Sequence, residues 1–157
     1  MKPVLHITRS LWNETTHGLA KRGSNLRESA CIWAGTRDEK TWKVTEIVYL
    51  DDLHGTKSTR RYHSTSREAL SQLFEILRSK KLQIIADVHT HPSIWVDMSL
   101  LDMENPIEHR IGLLAFIIPN LAKPPVIIEK LGVHEYIGQC KWNRLSQNEI
   151  HERFIIE

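Results

Sequence analysis

Residues 66–88, SREALSQLFEILRSKKLQIIADV, constrain the fold more than any other stretch. Ser66 opens a helix as its cap, with Glu68 close by. Apolar residues at 70, 73, 74 and 77 then fall on one face, and the basic end suits the helix dipole. LQIIADV follows without a break as an apolar run of strand length. An amphipathic helix that delivers the chain straight into an apolar strand belongs to a sheet with helices packed against it.

The rest of the chain fits that scheme. PVLHIT at 3–8 alternates as a strand, and 10–22 reads as a helix opened by a Ser10 cap and ended at Gly23. ESACIWAG, closed by Gly35, and KVTEIVYL at 43–50 read as two strands joined through TRDEKT. Residues 51–64 are polar and aperiodic, which makes them a loop or sheet edge and a candidate binding surface. IGLLAFIIP, PVIIEKLGV and HEYIGQCKW are three further strand candidates, and Ser146 with Glu149 forms a capping box for a short terminal helix. The expected fold is α+β, a mixed sheet flanked by helices, in one domain over 1–157.

Composition narrows the function classes. The formal charge is only +2, and the basic residues are scattered apart from short clusters at 57–61 and 78–81. That is not the one-sided footprint of a nucleic-acid protein. No apolar run approaches the roughly 20 residues that span a bilayer, and MKPVLHITRS lacks the apolar core of a signal peptide, so a cytoplasmic protein is expected. The two cysteines, Cys31 and Cys140, sit in apolar surroundings and read as buried free thiols. Any metal must therefore come from histidine and carboxylate.

VHTHPSIWVDMSLLD, residues 88–102, supplies both. Alternate side chains of a strand share a face, so His89 and His91 project together. Two neutral imidazoles and the Asp102 carboxylate make a three-ligand set for a borderline metal such as Zn²⁺, with a fourth position for water. Each half also has a plain explanation. The chain has nine histidines, so a close pair arises by chance. Ser99 and Asp102 are explained by helix capping, worth roughly 0.5–2 kcal/mol.

Taken together, His89-x-His91-Pro92, six residues, then Ser99-x-x-Asp102 resembles the signature of the JAMM (MPN+, JAB-domain) metalloproteases in composition and spacing. The resemblance implies a single MPN/JAB domain with a curved mixed sheet and one zinc ion held by His89, His91 and Asp102. It further implies Ser99 as a donor to the oxyanion and an upstream glutamate as general base on the zinc-bound water. Glu28, just before the apolar run SACIWAG, takes that place; Glu14, Glu46, Glu68 and Glu75 fit it less well.

The implied reaction is hydrolysis of the bond after the C-terminal glycine of a ubiquitin-like modifier, in deconjugation or precursor processing. Segment 56–66, with Arg60 and Tyr62, and the loop Ser93–Met98, with Trp95 and Asp97, are the expected walls for its tail. HTHP followed by a Trp95-Val96 pair is closest to the bacterial branch. That branch accompanies ubiquitin-like conjugation operons of anti-phage defence, whose activating and conjugating enzymes are the implied partners. Cys31 and Trp33 stand where the family often has glycine and leucine, and Asp97 where relatives have a small residue. The alternatives are a JAMM peptidase on another substrate, such as a sulfur-carrier adduct, and a non-catalytic MPN scaffold. Sequence separation alone does not place His109 or His134.

Overall fold

A computed structural model of the chain describes residues 1–60 and 63–157. Strand β1 (Val4–Ile7) leads into helix α1 (Arg9–Gly23), followed by β2 (Ala30–Arg37) and β3 (Thr41–Tyr49). The short strands β4 (Lys57–Ser58) and β5 (His63–Ser64) precede helix α2 (Arg67–Lys80), which feeds β6 (Gln83–Thr90). Next come α3 (Leu100–Glu104), β7 (Leu114–Ile118), β8 (Gly132–Gly138), β9 (Lys141–Arg144), α4 (Gln147–Arg153) and β10 (Phe154–Ile156).

Eight strands form one mixed sheet in the order β10-β1-β3-β2-β6-β7-β8-β9. β2 runs antiparallel to both β3 and β6, while β6 and β7 are parallel. Register shifts on both sides of β2, at 33–35, mark bulges, which bend and twist a sheet. One face packs α1 and α4 through Trp12, Leu19, Trp33, Phe116, Ile150 and Phe154; the Trp33 Nε1–H donates to Thr15 Oγ1 at 2.9 Å. The other face packs α2, through Leu73 and Leu77, against Ile32 and Ile84. Among the described residues no helix is long and apolar enough to cross a membrane.

Several local expectations are corrected. α1 is capped by Thr8, whose side chain accepts from the Leu11 N–H, rather than by Ser10. The helix ends at Gly23 as expected, and Ser24 in left-handed conformation caps it. PVIIEKLGV is strand only at Gly132 and Val133, where β8 begins: Pro124 and Pro125 offer no ladder donor, and the chain after them reaches only a 3-10 turn, Ile128–Lys130. Val126 and Ile128 still pack on the core, so their apolar character is explained by burial without pairing. HEYIGQCKW is split between β8 and β9 by a turn in which Gly138, Gln139 and Cys140 all have positive φ. Cys140 is therefore exposed and only Cys31 is a buried thiol.

Glu135, buried on β8, ion-pairs with Lys2 and Arg153. Burial pushes its carboxyl up, but the two cations outweigh this and hold it below its ordinary value of 4.5. A carboxyl depressed in the folded state stabilises the fold above its unfolded value, and that contribution disappears as pH falls through the folded value. Glu135→Gln is expected to lower the urea midpoint at pH 7, with the difference from wild type shrinking as pH falls below about 4.5. Parallel unfolding curves at pH 7 and pH 3 check it.

Candidate metal centre

β6 carries both histidines. His89 lies inside the strand and His91 one residue past it, its N–H donating to the Ile118 carbonyl at 2.9 Å. Asp102 comes from α3, where it and Ser99 form a complete capping box: Ser99 Oγ accepts from the Asp102 N–H at 3.1 Å, and Asp102 Oδ2 accepts from the Ser99 N–H at 2.9 Å. The capping geometry that starts the helix thus also turns the carboxylate toward β6.

Ligand atoms of His89, His91 and Asp102 all lie within 4.8 Å of one another. His91 Nε2 is 3.2 Å from Asp102 Oδ2, and His89 Nε2 is 3.4 Å from Asp102 Oδ1. Tetrahedral ligands on a metal with bonds near 2.0–2.1 Å stand about 3.3 Å apart, so both separations match such an edge. His91 Nδ1 donates to the Trp95 carbonyl at 3.0 Å, which leaves Nε2 of the neutral ring as a lone pair facing a carboxylate oxygen. A metal ion placed between the two would take both as ligands. His89 Nε2 is buried and has no hydrogen-bond partner, an orphan donor or acceptor that a metal would satisfy. The three residues fit a metal ion.

Glu28 is brought to this cluster by strand pairing. Ala30 is the partner of His89, and Ser29 and Thr90 are bonded backbone to backbone at 3.0 Å, which sets Glu28 level with His91. Glu28 is 4% exposed, and no described residue hydrogen-bonds its carboxylate. Burial is the main cause that pushes its carboxyl up to about 7, opposed by His89 and His91. Burial pushes the Asp102 carboxyl up, but the two imidazoles beside it, His89 and His91, outweigh burial and hold it well below the usual range. Burial works against charge on His89, but Asp102, Asp87 and Glu28 overcome it and raise that imidazole to about 9. The cluster is a strongly cation-seeking site.

Beside the cluster opens a cavity of about 240 Å³, lined on its polar side by His63, Asp87, His89, Asp102 and His109. Trp95 stacks on the His91 ring at 5.3 Å between centroids, yet remains 51% exposed. Asp97 pairs with Arg144 at 2.5 Å and lies away from the cluster. Arg60 is exposed on a separate concavity with Pro92 and Lys123, and Tyr62 lies outside the described residues.

Four neighbours of the site carried little sequence signal. His134, kept neutral by burial, donates from Nε2 to the Val96 carbonyl at 2.9 Å and so anchors the loop between the ligands. Asp87 sits two residues before His89 on the same strand face, 4.0 Å from its Nδ1; strand alternation was the signal that points to it. Asp51 and His63 form a buried pair at the cavity and have no local pattern at all.

The structural neighbours decide the fold. A JAB1/MPN domain protein of Archaeoglobus fulgidus superposes with a TM-score of 0.50 over 92% of this chain and 94% of its own, at 13% identity. The fold is that of the JAB1/MPN domain. Solution structures from Desulfitobacterium hafniense (TM-score 0.67, 17% identity, 98% of this chain and 93% of that one) and Salinibacter ruber (0.60, 15%, 93% and 89%) share it. A Sinorhizobium fredii protein named "Probable metalloprotease" is 23% identical over 123 residues, 78% of this chain and 75% of its own. No family model matches the chain. On the JAB1/MPN fold the His89, His91 and Asp102 cluster fits the JAMM motif.

After zinc supplementation and gel filtration, wild type is expected to retain about one metal ion per chain by elemental analysis. His89→Ala and Asp102→Ala each remove a ligand and should weaken binding beyond the ~10–100-fold typical of losing an outer hydrogen-bond partner. Glu28→Gln should leave the metal content unchanged.

Proposed function

We propose that the chain is a zinc-dependent peptidase of the JAMM type that hydrolyses the amide bond after the C-terminal glycine of a ubiquitin-like modifier. The observation that carries this reading is Glu28, a buried carboxylate without a hydrogen-bond partner among the described residues, level with a ligand of a three-residue metal cluster. Burial of an unpaired carboxylate is costly and pushes its pKa up to about 7, and groups perturbed in this way cluster at functional sites.

His89, His91 and Asp102 would hold the zinc ion, which when bound would supply Lewis acidity to water and to the scissile carbonyl. Glu28 takes the proton of the attacking water and returns it to the departing nitrogen. Ser99 Oγ already accepts the Asp102 N–H, so its own O–H is left to donate to the developing oxyanion. His91 is fixed by the Trp95 carbonyl and holds its ligand nitrogen without a proton.

Substrate choice follows from what flanks the cluster. Ile94 (78% exposed), Trp95, Leu100 and Leu101 form an apolar rim, and β4–β5 adds a short strand pair on the other side. A thin, glycine-ended tail reaches a buried metal between such walls with few side-chain demands. Removal of the modifier from a target and maturation of its precursor are the same reaction at this site. A bacterial ubiquitin-like conjugation system serving anti-phage defence is the proposed setting.

A ubiquitin-like protein fused through its terminal glycine to a reporter is the assay substrate, with and without chelator. Cleavage should require the metal. Glu28→Gln should lose ~10²–10⁴-fold in rate while keeping the metal, and Ser99→Ala about 10²-fold. Wild-type rates from the metal-loaded Glu28→Gln protein defeat the assignment of the base.

A further inference from the structure

A residue that this mechanism leaves unused stands at the same cavity, with a buried carboxylate beside it. His63, on β5, lines it together with His89 and Asp102. Its Nε2 lies 3.1 Å from Asp51 Oδ1, with the two side chains only 6% and 13% exposed. Asp51 Oδ2 in turn accepts the Ala30 N–H at 2.9 Å, and Ala30 is the strand partner of His89. From the other end of the segment, the Thr59 carbonyl accepts the Glu28 N–H at 2.7 Å. The β4–β5 segment is thus bonded to residues 28 and 30, which places His63 by the same strand that places Glu28.

The pair also fixes the tautomer. The carboxylate oxygen is the acceptor, so Nε2 is the donor and Nδ1 is the ring nitrogen left to accept. Among the described residues Nδ1 has no partner. Leu50, Leu70, Met98 and Ile107 give the cavity an apolar wall beside its polar groups. The cavity therefore places the oriented His63 acceptor beside a surface for a carbon chain, which complements the N–H of an amide made on an amine with an aliphatic stem.

We propose that His63, oriented by Asp51, is a further catalytic residue whose Nδ1 accepts a hydrogen bond from the N–H of the scissile amide. It fixes on which side of the metal cluster the leaving nitrogen lies; Asp51 is its positioning residue. The proposal rests on the metallopeptidase reading of the site.

Zinc-loaded protein titrated calorimetrically with acetohydroxamate and with its N-methyl analogue provides the test. Both probes chelate the metal through two oxygens, and only the first carries an N–H where the leaving nitrogen would be. Wild type should prefer the N–H probe. His63→Ala should bind that probe about 5-fold more weakly and the N-methyl probe unchanged, a loss typical of one neutral hydrogen bond. His63→Asn places a carbonyl oxygen near the position of Nδ1 and should restore the preference, while Asp51→Asn should lose part of it. Equal zinc stoichiometry and melting temperature among the variants separate this from misfolding. Wild-type discrimination in His63→Ala overturns the proposal and leaves the peptidase reading standing; failure of the zinc-loaded wild type to bind either probe overturns both.

Discussion

Antiparallel pairing of β2 with β6 sets Ala30 opposite His89, and the placement of the site follows from that register. Directly opposed residues of a sheet share a face, and residues two apart along a strand share it again. Glu28, Ala30, His89 and His91 therefore stand on one side, while Cys31, Trp33 and Val88 enter the aromatic core on the other. A slip of one residue would put Glu28 into that core and Trp33 onto the metal side. Trp33, fully buried between Trp12, Phe116 and Phe154 and hydrogen-bonded to Thr15, makes the slip prohibitive. Apolar packing on one face of the sheet thus fixes chemistry on the other.

The third ligand is placed by a different and local device. α3 has only five residues and no buried one, so packing of its own side chains does little to hold it. What starts it is the reciprocal bonding of Ser99 and Asp102, and the same bonds orient Asp102 toward two imidazoles. Cap and ligand are one carboxylate used through two oxygens. Removing it costs the helix start as well as the metal, which is why Ser99 and Asp102 carry both a structural and a chemical meaning without conflict.

Features governed by local periodicity were legible in the sequence. α2 shows its apolar stripe and its Ser66 cap, and the His89, His91 and Asp102 spacing shows the cluster because strand alternation and a helical turn are short-range rules. Features governed by tertiary contact were not. β10 is three residues long and exists by lying against β1. Val126 and Ile128 are apolar for the core, not for a ladder. His63 and His134 belong to the site through partners 12 and 38 residues away, and in a chain with nine histidines nothing nearby distinguishes them.

The loop between the ligands, 92–98, is held from several directions. Its Trp95 and Val96 carbonyls accept from His91 and His134. Gly132 lets the Val96 backbone approach so closely that a Cβ there would lie 2.0 Å from the Val96 oxygen. Asn120, Leu121 and Ala122 all take left-handed backbone, at about 1–2 kcal/mol each for residues with a Cβ. That strain is offset where it is useful: the Asn120 N–H donates to the Ser93 carbonyl at 3.0 Å and the Leu121 N–H to the His91 carbonyl at 2.8 Å, with Leu121 and Ala122 buried. Strain retained at such a turn marks a position that the surrounding structure over-determines. The base of the loop is therefore rigid, which keeps His91 in one tautomer and orientation. Only the tip, Ile94 and the outer edge of Trp95, is left exposed, so the loop can meet a substrate without loosening the ligand beneath it.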